Sequence, residues 1–225
     1  MGLYANHIFP WIIDQVMGRE VLVEERRKVL ADARGRVLEI GFGTGLNLPH
    51  YPAGVERLTI IDPNIGMHRR AAPRIAASPL EIDAIPLGAD GQLPLADNTF
   101  DFAVSTWTMC SIADIARALR EIHRVLRPGG RLLFIEHGLS PDASVARWQN
   151  RLNGINKRIG DGCHLNRNIA ALVSASPLRV TACDEFCMAS TPRIAAWTYP
   201  ADIGDHLPSH IQLNFTQAPG FAKML

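Results

Sequence analysis

Val37-Leu38-Glu39-Ile40-Gly41-Phe42-Gly43-Thr44-Gly45 is the stretch that decides how this chain folds. Arg36–Ile40 is a short apolar run that predicts a buried strand, and it opens directly onto three glycines. Glycines at that point let the backbone turn tightly and approach a ligand with no Cβ in the way. Downstream, Arg57–Ile61 is a second strand-like run ending at Asp62-Pro63, and a helix is predicted from Asn64 towards Ala77, before Ser78-Pro79. Ile82–Leu87 and Phe102–Thr106 read as third and fourth strands. Ile112–Leu126 is patterned as a helix, with Ile115, Leu119 and Ile122 on one face, and it stops at Arg127-Pro128-Gly129-Gly130. Arg131–Glu136 supplies a fifth strand. Strands alternating with helices at this spacing predict an α/β fold, a parallel sheet covered on both faces.

The flanks are less regular. Residues 8–31 read as helical with a pause at Gly18, and Ile8, Ile12 and Val16 share a face. Pro141 to Asn168 reads as an irregular insertion. A helix near Arg167–Ser176 then leads into two strand-like runs, Leu178–Phe186 and Ile194–Tyr199. We therefore divide the chain into one domain over 1–199, with an N-terminal helical cap (1–33) and a substrate-side insertion (140–168), followed by an extension over 200–225 through which copies could associate.

Composition narrows the function. The chain has 225 residues, with 23 Lys and Arg against 22 Asp and Glu, and the charges are scattered. It lacks the basic stripe of a nucleic-acid binder. The apolar stretch Ile8–Met17 is interrupted by Pro10, Asp14 and Gln15 and falls short of the ~20 residues that span a bilayer. Cys110, Cys163, Cys183 and Cys187 form no C-x-x-C pair, which predicts reduced thiols in a cytoplasmic protein. No spacing of His and Cys repeats as in a zinc motif, so no metal is expected.

The glycine turn carries chemistry. Its spacing is G-x-G-x-G after an acidic residue, where a pyrophosphate site would have G-x-G-x-x-G and no nearby carboxylate. Glu39 suits a cationic ligand bearing a sulfonium. Asp62, about 20 residues on at the same sheet edge, is placed to accept the two hydroxyls of a ribose, although an acid there could instead cap the next helix. Asp90, after Ala89, is a candidate acceptor for an adenine amino group or the start of a turn with Gly91.

Leu93-Pro94-Leu95-Ala96-Asp97-Asn98-Thr99-Phe100-Asp101 and Val125-Leu126-Arg127-Pro128-Gly129-Gly130, added to the glycine turn, resemble the signatures of the class I S-adenosylmethionine-dependent methyltransferases. The resemblance implies a Rossmann-like, seven-stranded, mostly parallel sheet whose last strand is antiparallel. It also implies S-adenosylmethionine as cofactor, held by Gly41, Gly43, Gly45 and Asp62. We add Glu39, Asp90 and Thr106 as candidate cofactor contacts.

Thr108-Met109-Cys110-Ser111-Ile112, Glu136-His137 and Asp161-Gly162-Cys163-His164-Leu165-Asn166-Arg167 further resemble the methyltransferase-like 7 group, the alkyl thiol S-methyltransferases. That resemblance implies a small thiol as methyl acceptor. A thiol reacts as thiolate, so a base helps, and His137 and His164 are the candidates, with Asp161 orienting one of them or pairing with Arg167. Cys110, Cys163 and Trp11 are candidate substrate contacts, and Trp107 and Trp148 further apolar walls. Competing readings are a C- or N-methyltransferase acting on a quinone, lipid head group or specialised metabolite, and a cofactor-binding regulatory module without turnover.

Overall fold

The computed structural model describes residues 3–183, 185–188 and 191–204. Its elements are α1 (Phe9–Met17), α2 (Glu20–Leu30), β1 (Gly35–Ile40), β2 (Val55–Ile61), α3 (Ile65–Ala77), β3 (Glu81–Ile85), β4 (Phe100–Thr106), α4 (Ile115–Val125), β5 (Leu126–His137), α5 (Ala143–Ile159), α6 (Ile169–Ser174), β6 (Arg179–Cys183), β7 (Phe186–Cys187), α7 (Arg193–Ala196) and β8 (Trp197–Gly204). A seven-stranded sheet runs in the order β3-β2-β1-β4-β5-β8-β6, and the two-residue β7 pairs with β8 beside it. β1 to β5 are mutually parallel, while β8 lies antiparallel to β5 and to β6.

Two apolar layers hold this sheet, and the two-residue period of its strands divides side chains between them. Leu38, Ala103, Leu132 and Phe134 join Leu119 and Ile122 of α4 in one. Val37, Phe102, Val104 and Leu133 join Leu30 of α2 and Ala71 of α3 in the other. The interior strands are apolar on both faces, which is why they read as runs in the sequence. Helix starts are set by side-chain caps: Asn64 accepts from Gly66 and Met67 N–H, and Asp114 from Arg117 N–H. Because Asn64 caps α3, Asp62 is released from the capping role that the sequence left open.

Three expectations change. The insertion is not irregular: Asp142 caps a 17-residue α5, which continues through Asn150, Asn153 and Gly154. Ile194–Tyr199 is not one strand, since Arg193–Ala196 is helical and β8 starts at Trp197. β8 also runs through position 200, so the sheet extends into the predicted extension. Most of that extension, 205–225, and with it the proposed association surface, lies outside the described residues. Among the described residues no helix is long and apolar enough to cross a membrane.

Candidate active site

β1, β2 and β4 end at one edge of the sheet, and a cavity of about 390 Å³ opens there. That volume is within the ~300–1,000 Å³ of small-molecule sites, and the edge is where open α/β sheets bind ligands. The chain leaves β1 through Gly41 and Gly43, both in the left-handed region at φ 73° and 57°. The two glycines serve different ends. A Cβ on Gly41 would lie 2.0 Å from the Thr108 side chain, so that glycine admits the loop after β4. A Cβ on Gly43 would meet nothing within 4 Å, so that glycine keeps free space above the turn.

Asp62 ends β2 beside this space and is buried. Its Oδ2 accepts from Gly43 N–H at 2.8 Å and its Oδ1 from Asn64 N–H at 2.8 Å, which aims the carboxylate along the cavity wall. Burial raises its pKa against those two hydrogen bonds. Asp161 also borders the cavity, but its Oδ2 accepts from Asn64 Nδ2 at 2.9 Å. It therefore belongs to the Asp62 side and orients neither histidine, and Arg167 reaches the Met109 carbonyl instead of pairing with it. Leu87, Ala89, Asp90 and Ile112 also line the cavity.

The sequence reading missed a buried polar network beneath the turn. Arg26 Nη1 donates to Asn47 Oδ1 at 2.7 Å and Thr106 Oγ1 at 3.0 Å, and its guanidinium lies 4.9 Å from the Trp107 ring centroid. It borders the cavity, and its Nε is buried without a partner. Burial pulls its pKa down to about 10 against the charge of Glu39. Thr106 is on the wall, with its hydroxyl committed to Arg26 and Asn47.

Glu39 does not line the cavity. It shares a strand face with Val37, beneath α2, and Asn47 and Tyr51 donate to its two oxygens at 2.8 and 2.7 Å. Burial pushes it up to about 7. Gly45 likewise is off the cavity wall, tucked under the Phe42 ring. The signal for Arg26 was present: it falls four residues from both Leu22 and Leu30, a cation on the buried stripe of α2.

α1 closes the cavity from above. Phe9, Ile13 and Met17, spaced four apart, face inward, and Ile8, Ile12 and Val16 face out. Trp11 is on the outer face at 56% exposure, and Trp148 is exposed on α5, so of the three predicted tryptophan walls Trp107 borders the site. The buried Asp14 anchors α1, accepting from Thr44 Oγ1 at 2.6 Å, Arg74 Nη1 at 2.9 Å and Arg70 Nε at 3.1 Å. Burial pushes its carboxyl up, but the Thr44 hydroxyl and the two guanidiniums outweigh this and leave it below the ordinary range.

β5 ends in Glu136 and His137, and His137 lines the cavity. His137 Nε2 lies 3.2 Å from Cys163 Sγ. The Glu136 carboxylate, fully buried, accepts from Cys110 N–H at 3.0 Å and His137 N–H at 2.9 Å, and burial pushes it up to about 7. Hydrogen bonds from Cys110 and His137 hold the Cys163 thiol below the usual range despite burial. Cys110, His137 and Cys163 all border the cavity; His164 does not, since its ring Nδ1 turns to the Cys110 carbonyl at 3.0 Å.

Residues 38–134 match the family model described as a methyltransferase domain. Among curated relatives, the thiol S-methyltransferase TMT1B of Rattus norvegicus is 34% identical over 172 residues, covering 71% of this chain and 70% of that protein. The human thiol S-methyltransferase TMT1A is 37% identical over 173 residues, with the same coverage of both chains. Among solved structures, a SAM dependent methyltransferase from Aquifex aeolicus superposes with a TM-score of 0.60 at 17% identity, covering 86% of this chain and 97% of that one.

Proposed function

We propose that this chain, which belongs to the class I S-adenosylmethionine-dependent methyltransferases and to their thiol S-methyltransferase group, methylates a small apolar thiol. The observation that carries the reading is the composition of the cavity beyond the cofactor turn. Phe9, Ile13, Met17 and Trp107 offer apolar wall, and the two thiols and imidazole of Cys110, Cys163 and His137 border the same cavity. An apolar wall with soft sulfur and imidazole groups on it suits a sulfur acceptor with an apolar substituent.

The residues fit the cofactor. Asp62 would take the ribose hydroxyls, the space over Gly43 would take its backbone-facing edge, and Arg26, with an unpartnered buried N–H, would take the methionyl carboxylate. Ala89 and Asp90 would border the adenine. When bound, S-adenosylmethionine supplies a methyl group on a sulfonium, which an acceptor displaces in line. The chain's contribution is to fix the two partners and keep water out. Asp14 holds α1 down over the turn, and Thr108, seated against Gly41, fixes the loop that carries Cys110.

The test is product mass. With S-adenosylmethionine, the purified chain should methylate hydrogen sulfide or a short alkyl thiol, and leave a matched amine and phenol unmodified. Methylation of the phenol or amine in preference to the thiol would refute the reading.

A further inference from the structure

We infer that Cys110, His137 and Cys163 form a binding site for a single soft divalent cation, Zn²⁺ by its chemistry, with a fourth coordination position open to the cavity for the acceptor sulfur. The three residues are far apart in the chain and come from the loop after β4, the end of β5 and the loop after α5. The fold brings their donor atoms, two sulfurs and one ring nitrogen, within 4.8 Å of one another. In a tetrahedral zinc site with bonds of about 2.3 Å to sulfur and about 2.0 Å to nitrogen, donor atoms stand roughly 3.5–3.8 Å apart. The observed 3.2 Å between His137 Nε2 and Cys163 Sγ and the overall 4.8 Å limit bracket that spacing.

The surroundings favour a cation. Cys110 and the Glu136 carboxylate are buried, with the half-buried Cys163 beside them. Two cysteines and one histidine with an open fourth position make the donor set of a catalytic zinc; closed structural sites use all four positions for protein ligands. Here the fourth direction is the cavity that all three residues border.

The inference rests on the thiol reading and deepens it. Metal binding takes both cysteines as thiolates and His137 as neutral imidazole, and whatever protons the three hold beforehand leave to solvent. An acceptor thiol entering the fourth position forms a sulfur–metal bond and loses its own proton to solvent, so it is presented as thiolate at neutral pH with no oxidation or reduction. This provides the activation that the sequence reading had assigned to a histidine base.

The experiment uses the full chain, stripped with chelator and titrated with Co²⁺ under reducing conditions, then competed with Zn²⁺. One equivalent should produce thiolate-to-cobalt charge transfer in the near ultraviolet and the intense visible bands of tetrahedral cobalt. Cys163→Ser and Cys110→Ser should lose the charge-transfer intensity and weaken Zn²⁺ binding at least 100-fold. Cys187→Ser, altering an exposed cysteine outside the site, should keep both. Adding 2-mercaptoethanol to the cobalt protein should shift its visible bands. Each variant is checked by circular dichroism and S-adenosylhomocysteine binding; should a serine variant misfold, His137→Gln, which keeps both sulfurs, should weaken Zn²⁺ binding at least 100-fold, and unchanged binding would overturn the inference. A wild-type chain with no charge transfer, a spectrum that survives Cys163→Ser, visible bands indifferent to the thiol, or full thiol methylation by the stripped enzyme would each overturn the inference. A cobalt spectrum as expected on a protein that methylates only phenols or amines would instead sink the thiol reading.

Discussion

Gly41 and Gly43 are two residues apart, share a left-handed backbone and should respond to alanine to different degrees. Placing Ala in that backbone region costs about 1–2 kcal/mol at either position. At Gly43 there is nothing further to add, because the new Cβ enters open space. In a domain of this size ~1 kcal/mol lowers Tm by about 2–4 °C, so Gly43→Ala should lose roughly 2–8 °C. At Gly41 the Cβ would sit 2.0 Å from the Thr108 methyl and hydroxyl and must displace the loop after β4, which adds about 1–3 kcal/mol of overpacking. Gly41→Ala should therefore melt clearly below Gly43→Ala, and combining it with Thr108→Gly should restore part of the loss. Cofactor binding reverses the emphasis: by calorimetry Gly43→Ala should raise the Kd for S-adenosylhomocysteine tenfold or more, about 1.4 kcal/mol per decade, with the protein still folded. A Gly43→Ala protein that binds S-adenosylhomocysteine at wild-type affinity would refute the assignment of that space to the cofactor. Equal melting losses at the two sites would refute the division of labour between the glycines.

Arg26→Met should weaken S-adenosylhomocysteine binding by about 1.5–3 kcal/mol, the usual worth of a hydrogen bond to a charged group, while a cofactor analogue lacking the carboxylate loses far less; equal losses for both would move Arg26 out of the carboxylate site. Asp62→Ala should cost about 1–3 kcal/mol in the same titration, and unchanged binding would remove Asp62 from the ribose position. Asp14→Asn should free α1, seen as faster proteolysis near Gly18 and weaker cofactor binding. Because the Asp14 carboxyl is held below its ordinary value, its contribution is intact above the carboxylate range and lost as pH falls through it, so the wild type should come to resemble the variant in acid and not in alkali. Glu39 has the opposite sign: raised to about 7, it favours the folded state below about 4.5 and loses that advantage as pH rises towards 7. The Tm of Glu39→Gln, whose amide can still pair with Asn47 and Tyr51, should therefore fall less than that of the wild type between pH 5 and 8.

What could be read ahead of the structure was local. A strand, a glycine turn and an acid one strand further on follow each other in the sequence, so Gly41, Gly43 and Asp62 could be placed at one sheet edge without knowing any long-range contact. What failed depended on direction or on distance. Glu39 was assigned to the ligand because it precedes the glycines, but a strand alternates its side chains, and position 39 goes with Val37 under α2. Trp11 was chosen for its size, yet a helix one turn thick has two faces, and Phe9, Ile13 and Met17 hold the inner one. The asparagines and Gly154 made α5 look irregular, although Asp142 caps it and Gln149 ties it to the Gly138 carbonyl. The expectation of no metal was drawn from spacing along the sequence alone. A spacing rule detects donors that share a hairpin or a helix, whereas Cys110, His137 and Cys163 are joined only by the closing of the sheet, each at the end of a different connection. The chemistry of this site is thus a property of topology: the glycine turn can be recognised from nine consecutive residues, but the group that faces it across the cavity exists only once β4, β5 and α5 have brought their ends together.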